Sequence, residues 1–147
     1  MENKVCSAFG HREILREVKD AFTVLERMVE EDNVTIFMTG GMGEFDKFFS
    51  LTVRALKKRH SKIELVLVRP YFSNELNRNK IYYQSMYDSI IIPDELQGIH
   101  YKSAILARNK WMVDRSDFVL AYLFRDFGGA YNTVKYAEKK NKQIIRI

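Results

Sequence analysis

A single cysteine in 147 residues rules out an internal disulfide, and a chain without one suits a reducing interior. Cys6 falls inside an apolar first strand, the position of a buried, inert thiol. No basic segment followed by an apolar one opens the chain, and no apolar run approaches the roughly 20 residues needed to cross a bilayer. The expectation is a cytoplasmic protein with no membrane partner. No linker, low-complexity stretch or fixed-period repeat interrupts the sequence, so one domain over residues 1–147 is expected.

Absent motifs narrow the chemistry further. The spacing Gly-x-Gly-x-x-Gly does not follow the first strand and no Gly-x-x-x-x-Gly-Lys-Ser/Thr occurs, which argues against a standard nicotinamide enzyme and a P-loop NTPase. There is no Gly-x-Ser-x-Gly elbow. His11, His60 and His100 lie far apart, and no group of His, Cys, Asp or Glu has metal-ligand spacing, so neither metal nor cofactor is expected. The formal charge of +5 would suit a phosphate backbone. However, Lys57-Lys58-Arg59 and Lys139-Lys140 fall at predicted helix ends, where cations complement the helix dipole, so nucleic acid is not expected as a partner.

What is present alternates between strands and helices. Lys4 to Phe9 reads as a first strand, and the apolar residues from Ile14 to Val29 recur at three- and four-residue steps, the spacing of one helix face. Val34 to Met38 is a second strand, Phe45 to His60 a second helix, and Ile63 to Val68 a third strand. Asn74 to Tyr87 reads as a helix and Ser89 to Ile92 as a short edge strand. His100 to Val113 is helical, Asp117 to Phe124 suits the sheet centre, and a last helix to Lys140 precedes a strand from Gln143. Successive strand-helix-strand units imply right-handed crossovers, and the fold class is α/β: a Rossmann-like, doubly wound, mainly parallel sheet of five or six strands flanked by helices.

In such sheets ligands bind beyond the carboxyl ends of the strands, where strand order reverses. Three polar or glycine-rich turns fall at that edge: Gly10-His11-Arg12; Thr39-Gly40-Gly41-Met42-Gly43-Glu44-Phe45-Asp46; and Gly128-Gly129-Ala130 with Asn132 and Thr133. Glycine lets a ligand approach the backbone, and free amides at a helix start attract an anion. Two such starts on one edge suit a nucleotide-like ligand. Arg12 can clamp a phosphate bidentately. His11 is a turn residue or a general acid, and Glu44 and Asp46 either satisfy the helix dipole or accept ribose hydroxyls. Asn132 and Thr133 cap their helix or reach ligand oxygens, and Arg108 and Asn109 face the crevice or water. No self-sufficient catalytic constellation is present; Glu44, Asp46 and Arg108 are the catalytic candidates. Tyr82, Tyr83 and Tyr87 read as packing residues.

Taken together, Phe9-Gly10-His11-Arg12, Thr39 to Asp46, Ala107-Arg108-Asn109-Lys110-Trp111-Met112-Val113-Asp114 before Ser116-Asp117, and Gly128 to Thr133 with Tyr136-Ala137 resemble the SLOG superfamily. This Rossmann-like group holds the Smf/DprA proteins, the Lonely Guy phosphoribohydrolases and small YpsA-like bacterial and phage proteins, the last being most similar. The resemblance implies a crevice for nucleotides or nucleotide-derived molecules such as ADP-ribose or NAD-like ligands, sensed or sequestered. It also implies two alternatives, an N-glycosidic-bond hydrolase and a protein-interaction module with a vestigial crevice. Against the Lonely Guy motif Pro-Gly-Gly-x-Gly-Thr-x-x-Glu, the segment from Phe127 lacks the proline, is one residue longer before Thr133, and has Tyr136 where the acid would fall. DprA-like proteins bind single-stranded DNA with the help of further domains. A homodimer through helices is compatible with the aromatic content.

Overall fold

The computed structural model describes residues 2–15, 18 and 20–147. Six strands, β1 (Lys4–Gly10), β2 (Val34–Thr39), β3 (Glu64–Val68), β4 (Ser89–Ile91), β5 (Phe118–Tyr122) and β6 (Gln143–Arg146), form a parallel sheet in the order β4-β3-β2-β1-β5-β6. Between them run α1 (Ala21–Asp32), α2 (Glu44–Lys57), α3 (Asn74–Arg78), α4 (Lys80–Met86), α5 (Tyr101–Asp114) and α6 (Gly129–Lys139). The arrangement is the Rossmann-like α/β class that the strand-helix alternation predicts. No helix among the described residues is long and apolar enough to cross a membrane.

Alternation along the strands divides the core in two. Ala8, Phe37, Leu65, Leu67 and Leu120 join Leu25 and Met28 of α1 and Phe45, Phe49 and Val53 of α2 in one buried cluster. Their neighbours Phe9, Met38, Val66, Val68, Val119 and Ala121 join Met112 and Val113 of α5 and Val134 and Ala137 of α6 in the other. With helices on both faces, the central strands are apolar at nearly every position.

The chain walks outward from β1 to β4, then returns to lay β5 on the other side of β1. Strand order therefore reverses between β1 and β5, whose carboxyl ends pair Gly10 with Tyr122. The buried rings of Phe45 and Tyr122 stack beneath this point, 5.3 Å apart and nearly parallel. A Cβ on Gly10 would lie 2.4 Å from the Phe45 ring, so this glycine is needed for packing whatever the cleft holds.

Two elements differ from the sequence reading. The first helix begins at Ala21 and not near Ile14; Arg16, Glu17 and Lys19 lie outside the described residues. Asp20 has φ 57°, a left-handed conformation in which no helix continues backward. Ile14 and Val18 pack against the core from outside the helix. The predicted helix from Asn74 to Tyr87 is two short helices that meet at Asn79. The edge strand after it is present as β4.

Candidate functional site

At the switch point lies a cavity of about 440 Å³, lined on one side by Gly10, His11, Arg12 and Glu13, on another by Gly40, Met42 and Asp46, and on the third by Gly128, Gly129 and Ala130. Arg108 and Asn109 of α5 and Arg125 and Phe127 of the β5–α6 connection also line it. Thus residues from all three predicted turns border one space of ordinary small-molecule size. Gly41, Gly43, Glu44, Asn132 and Thr133 do not line it.

The turn before α2 is largely closed upon itself. Gly41 N–H donates to Thr39 Oγ1 at 3.2 Å, Met42 N–H to Asp46 Oδ2 at 2.8 Å, and Glu44 N–H to the Arg12 carbonyl at 2.6 Å. Glu44 returns the favour to the first loop, its Oε2 accepting Ile14 N–H at 2.9 Å. Gly43, at φ 91°, allows this junction, since a Cβ there would come within 2.8 Å of the Arg12 Cα. Gly41, at φ 68°, would place a Cβ 2.6 Å from Leu67. Of the amides that the sequence offers to an anion, those of Gly41 and Met42 are therefore spent within the turn and that of Glu44 on holding the Gly10–Glu13 loop to α2.

The turn before α6 is open. Cβ atoms on Gly128 or Gly129 would meet nothing within 4 Å. Thr133 is buried below it, donating to the Gly129 carbonyl at 2.8 Å and accepting from Asn109 Nδ2 at 3.1 Å, while Asn132 is exposed. Thr133 is thus a packing and bracing residue.

Arg108 is buried to 3% exposure and its guanidinium is largely engaged by the protein. Nη1 donates to the carbonyls of Val68 (2.7 Å) and Gly40 (3.2 Å), Nε to Asn109 Oδ1 (2.9 Å), and Nη2 approaches Met42 Sδ at 3.6 Å. Four of its five N–H groups have partners. Burial lowers its pKa to about 10. Gly40, Arg108, Asn109, Thr133 and Gly129 form a continuous hydrogen-bonded relay from one glycine turn to the other.

Asp46 is also buried, and burial raises its pKa to about 6 against the lowering effects of the Met42 N–H and the charges of Arg108 and Arg12. His11 sits edge-on to Phe124, ring centroids 4.5 Å apart, at 4% exposure. Burial is the main cause lowering its pKa; the Arg125 charge adds to it and a hydrogen bond with the Arg125 backbone opposes it. Nε2 is buried without a partner, so that hydrogen bond belongs to Nδ1.

Arg125 was not singled out by the sequence. Its Cζ lies 4.8 Å from the Phe124 ring centroid and 5.2 Å from that of Phe127, and Phe127 is 64% exposed. No carboxylate pairs with Arg12 or Arg125 among the described residues. The run Phe124-Arg125-Asp126-Phe127, directly after a central strand, was the signal available. Elsewhere, the fold brings the His60 ring to Glu26 and Glu30, one turn apart on α1, so that their side-chain N and O atoms lie within 4.8 Å of one another. His60 Nε2 lies 3.0 Å from Glu26 Oε2 and Arg59 Nη1 lies 3.4 Å from the same oxygen, polar contacts that join α1 to the segment after α2.

No family model matches the chain. The uncharacterised SPbeta prophage-derived protein YoqJ of Bacillus subtilis (strain 168) is 27% identical over 131 residues, covering 79% of this chain and 77% of that protein. Among solved structures, DNA processing protein A from Helicobacter pylori, described for its single-stranded DNA binding mode, superposes over 97% of this chain with a TM-score of 0.65 at 19% identity. The chain spans 64% of that structure. This finding overturns the expectation that nucleic acid is not a partner: the scattered basic residues argued against a nucleic-acid surface, yet the same fold occurs in a protein that binds single-stranded DNA. At the level of fold, the chain is a Rossmann-like α/β protein similar to DNA processing protein A.

Proposed function

We propose that the cleft binds a nucleotide or nucleotide-derived ligand, as a sensor or sequestering site. The observation that carries this reading is the open α6 start. Gly128, Gly129 and Ala130 leave backbone and empty space facing Arg12 across the cleft, with Arg125 on the same wall. A helix start and two guanidinium groups without a carboxylate partner among the described residues attract phosphate. Three arginines line the cavity against two carboxylates, Glu13 and the buried Asp46.

The test is Gly129→Glu. A carboxylate suits the first turn of a helix and has room there, so the fold tolerates it, while the ligand phosphate is repelled. Saturating AMP, NAD or ADP-ribose should raise the melting temperature of the wild type, a ligand at 100 times its Kd contributing about 2.7 kcal/mol. The variant should lose that rise while melting normally alone. Chromatography of the same mixtures for released base reports any hydrolysis, for which Asp46 is the buried carboxyl bordering the cleft.

A second reading, single-stranded nucleic acid, is favoured by Phe127. It is exposed beside Arg125 at the cleft mouth, where a base can stack on the ring while phosphate meets the guanidinium. Binding that weakens steeply with salt would distinguish a strand from a single nucleotide.

A further inference from the structure

Beyond the Arg125 wall lies a second cavity of about 470 Å³, bordered by the Leu123–Asp126 segment, by Tyr131, Lys135 and Glu138 on α6, and by Arg146 at the end of β6. Arg125 borders both spaces. Because its guanidinium rests against two phenylalanine rings, its planar donors are held in place while remaining available to an anion. The second cavity also carries an aromatic and cations: Lys135 Nζ lies 5.5 Å from the Tyr131 ring centroid, and Arg146 reaches Glu138 at 3.0 Å. Lys135 also lies 3.7 Å from Glu138. Arg125, Lys135 and Arg146 there face the two carboxylates Asp126 and Glu138.

We propose that this second cavity is a subsite continuous with the cleft, and that Arg125 holds phosphate at the junction of a ligand made of two nucleoside-sized units. The first unit occupies the cleft and the second lies against Tyr131 and Lys135. This rests on the reading of the cleft as a nucleotide site. Two sources share the required chemistry, a pyrophosphate-joined dinucleotide such as NAD and a phosphodiester-joined strand.

Calorimetric titration of the full chain with AMP, NAD and a 5′-phosphorylated adenine dinucleotide tests it. At least one two-unit ligand should bind tenfold or more tightly than AMP. The preferred one identifies the source. Lys135→Glu should abolish that advantage and leave AMP affinity within twofold. The Lys135 side chain is 52% exposed, so the variant should melt as the wild type does. Two-unit ligands that bind no tighter than AMP, or keep their advantage in the variant, overturn the subsite. Failure of AMP together with both larger ligands overturns the reading of the cleft itself.

Discussion

Arg108 Nη1 lies 2.7 Å from the carbonyl oxygen of Val68, binding α5 to the carboxyl end of β3 through a fully buried hydrogen bond. The same nitrogen reaches Gly40 at the end of β2. A lysine here has one point charge and no planar fork, so it cannot serve both carbonyls and Asn109 together. Arg108→Lys should cost about 1–3 kcal/mol, the range for leaving buried acceptors unpaired, as measured by urea denaturation. An unchanged midpoint would mean that the brace is dispensable.

Asp46 has a folded pKa of about 6 against an ordinary 3.8. A raised carboxyl pKa means that the folded chain holds the proton more tightly than the unfolded chain. The ionised group therefore penalises the fold fully above about pH 6, and the penalty fades as pH falls toward 4. Asp46→Asn keeps an acceptor for the Met42 N–H. It should gain about 3 kcal/mol at pH 7, from roughly two pH units at 1.36 kcal/mol each, and almost nothing at pH 4. Denaturation of both proteins across this range checks the difference.

His11 works in the opposite direction. Its lowered pKa means that neutral imidazole is favoured in the fold, so stability is complete above about pH 6.5 and declines as pH falls. His11→Phe preserves the edge contact with Phe124 and removes the titrating nitrogen. Its stability relative to wild type should improve progressively below pH 6.5. A constant difference from pH 5 to 8 would refute the assignment.

The two glycine turns should respond differently to one methyl group. Gly40→Ala places Cβ 2.7–2.9 Å from three atoms of the Arg108 guanidinium, which cannot move without releasing Val68. Overpacking of this kind costs about 1–3 kcal/mol. Gly129→Ala meets nothing and removes unfolded-state freedom, so it should be neutral or stabilising by about 0.4–1 kcal/mol. Calorimetric melting of the pair, without ligand, reads the contrast.

The sheet was legible because each strand is a short apolar run, and α2 because Phe45, Phe49, Val53 and Leu56 all reach the core. The start of α1 was not, because Ile14 and Val18 satisfy helical spacing while packing from outside the helix, and nothing in their types marks the left-handed Asp20. The candidate residues were easier to gather than to interpret. Gly10 and Gly40 mark the cleft, yet the former accommodates Phe45 and the latter Arg108. Arg108 was visible as a charge beside the crevice, whereas its commitment to Val68 and Gly40 depends on strands about 40 and 70 residues away. Arg125 escaped notice because its setting between two rings exists only after the β5–α6 connection folds.

On the α6 wall the empty space around Gly129 separates recognition from folding, whereas Gly128, at φ 100°, is held to glycine by its backbone. Descendants of this chain can install larger or differently charged residues on that wall and drift toward new guests at little thermodynamic risk. On the α2 wall, where Gly40, Gly41 and Gly43 are each hemmed in, the same experimentation is penalised at once. Lineages carrying this scaffold should accordingly diversify along one bank of the cleft while the other stays frozen.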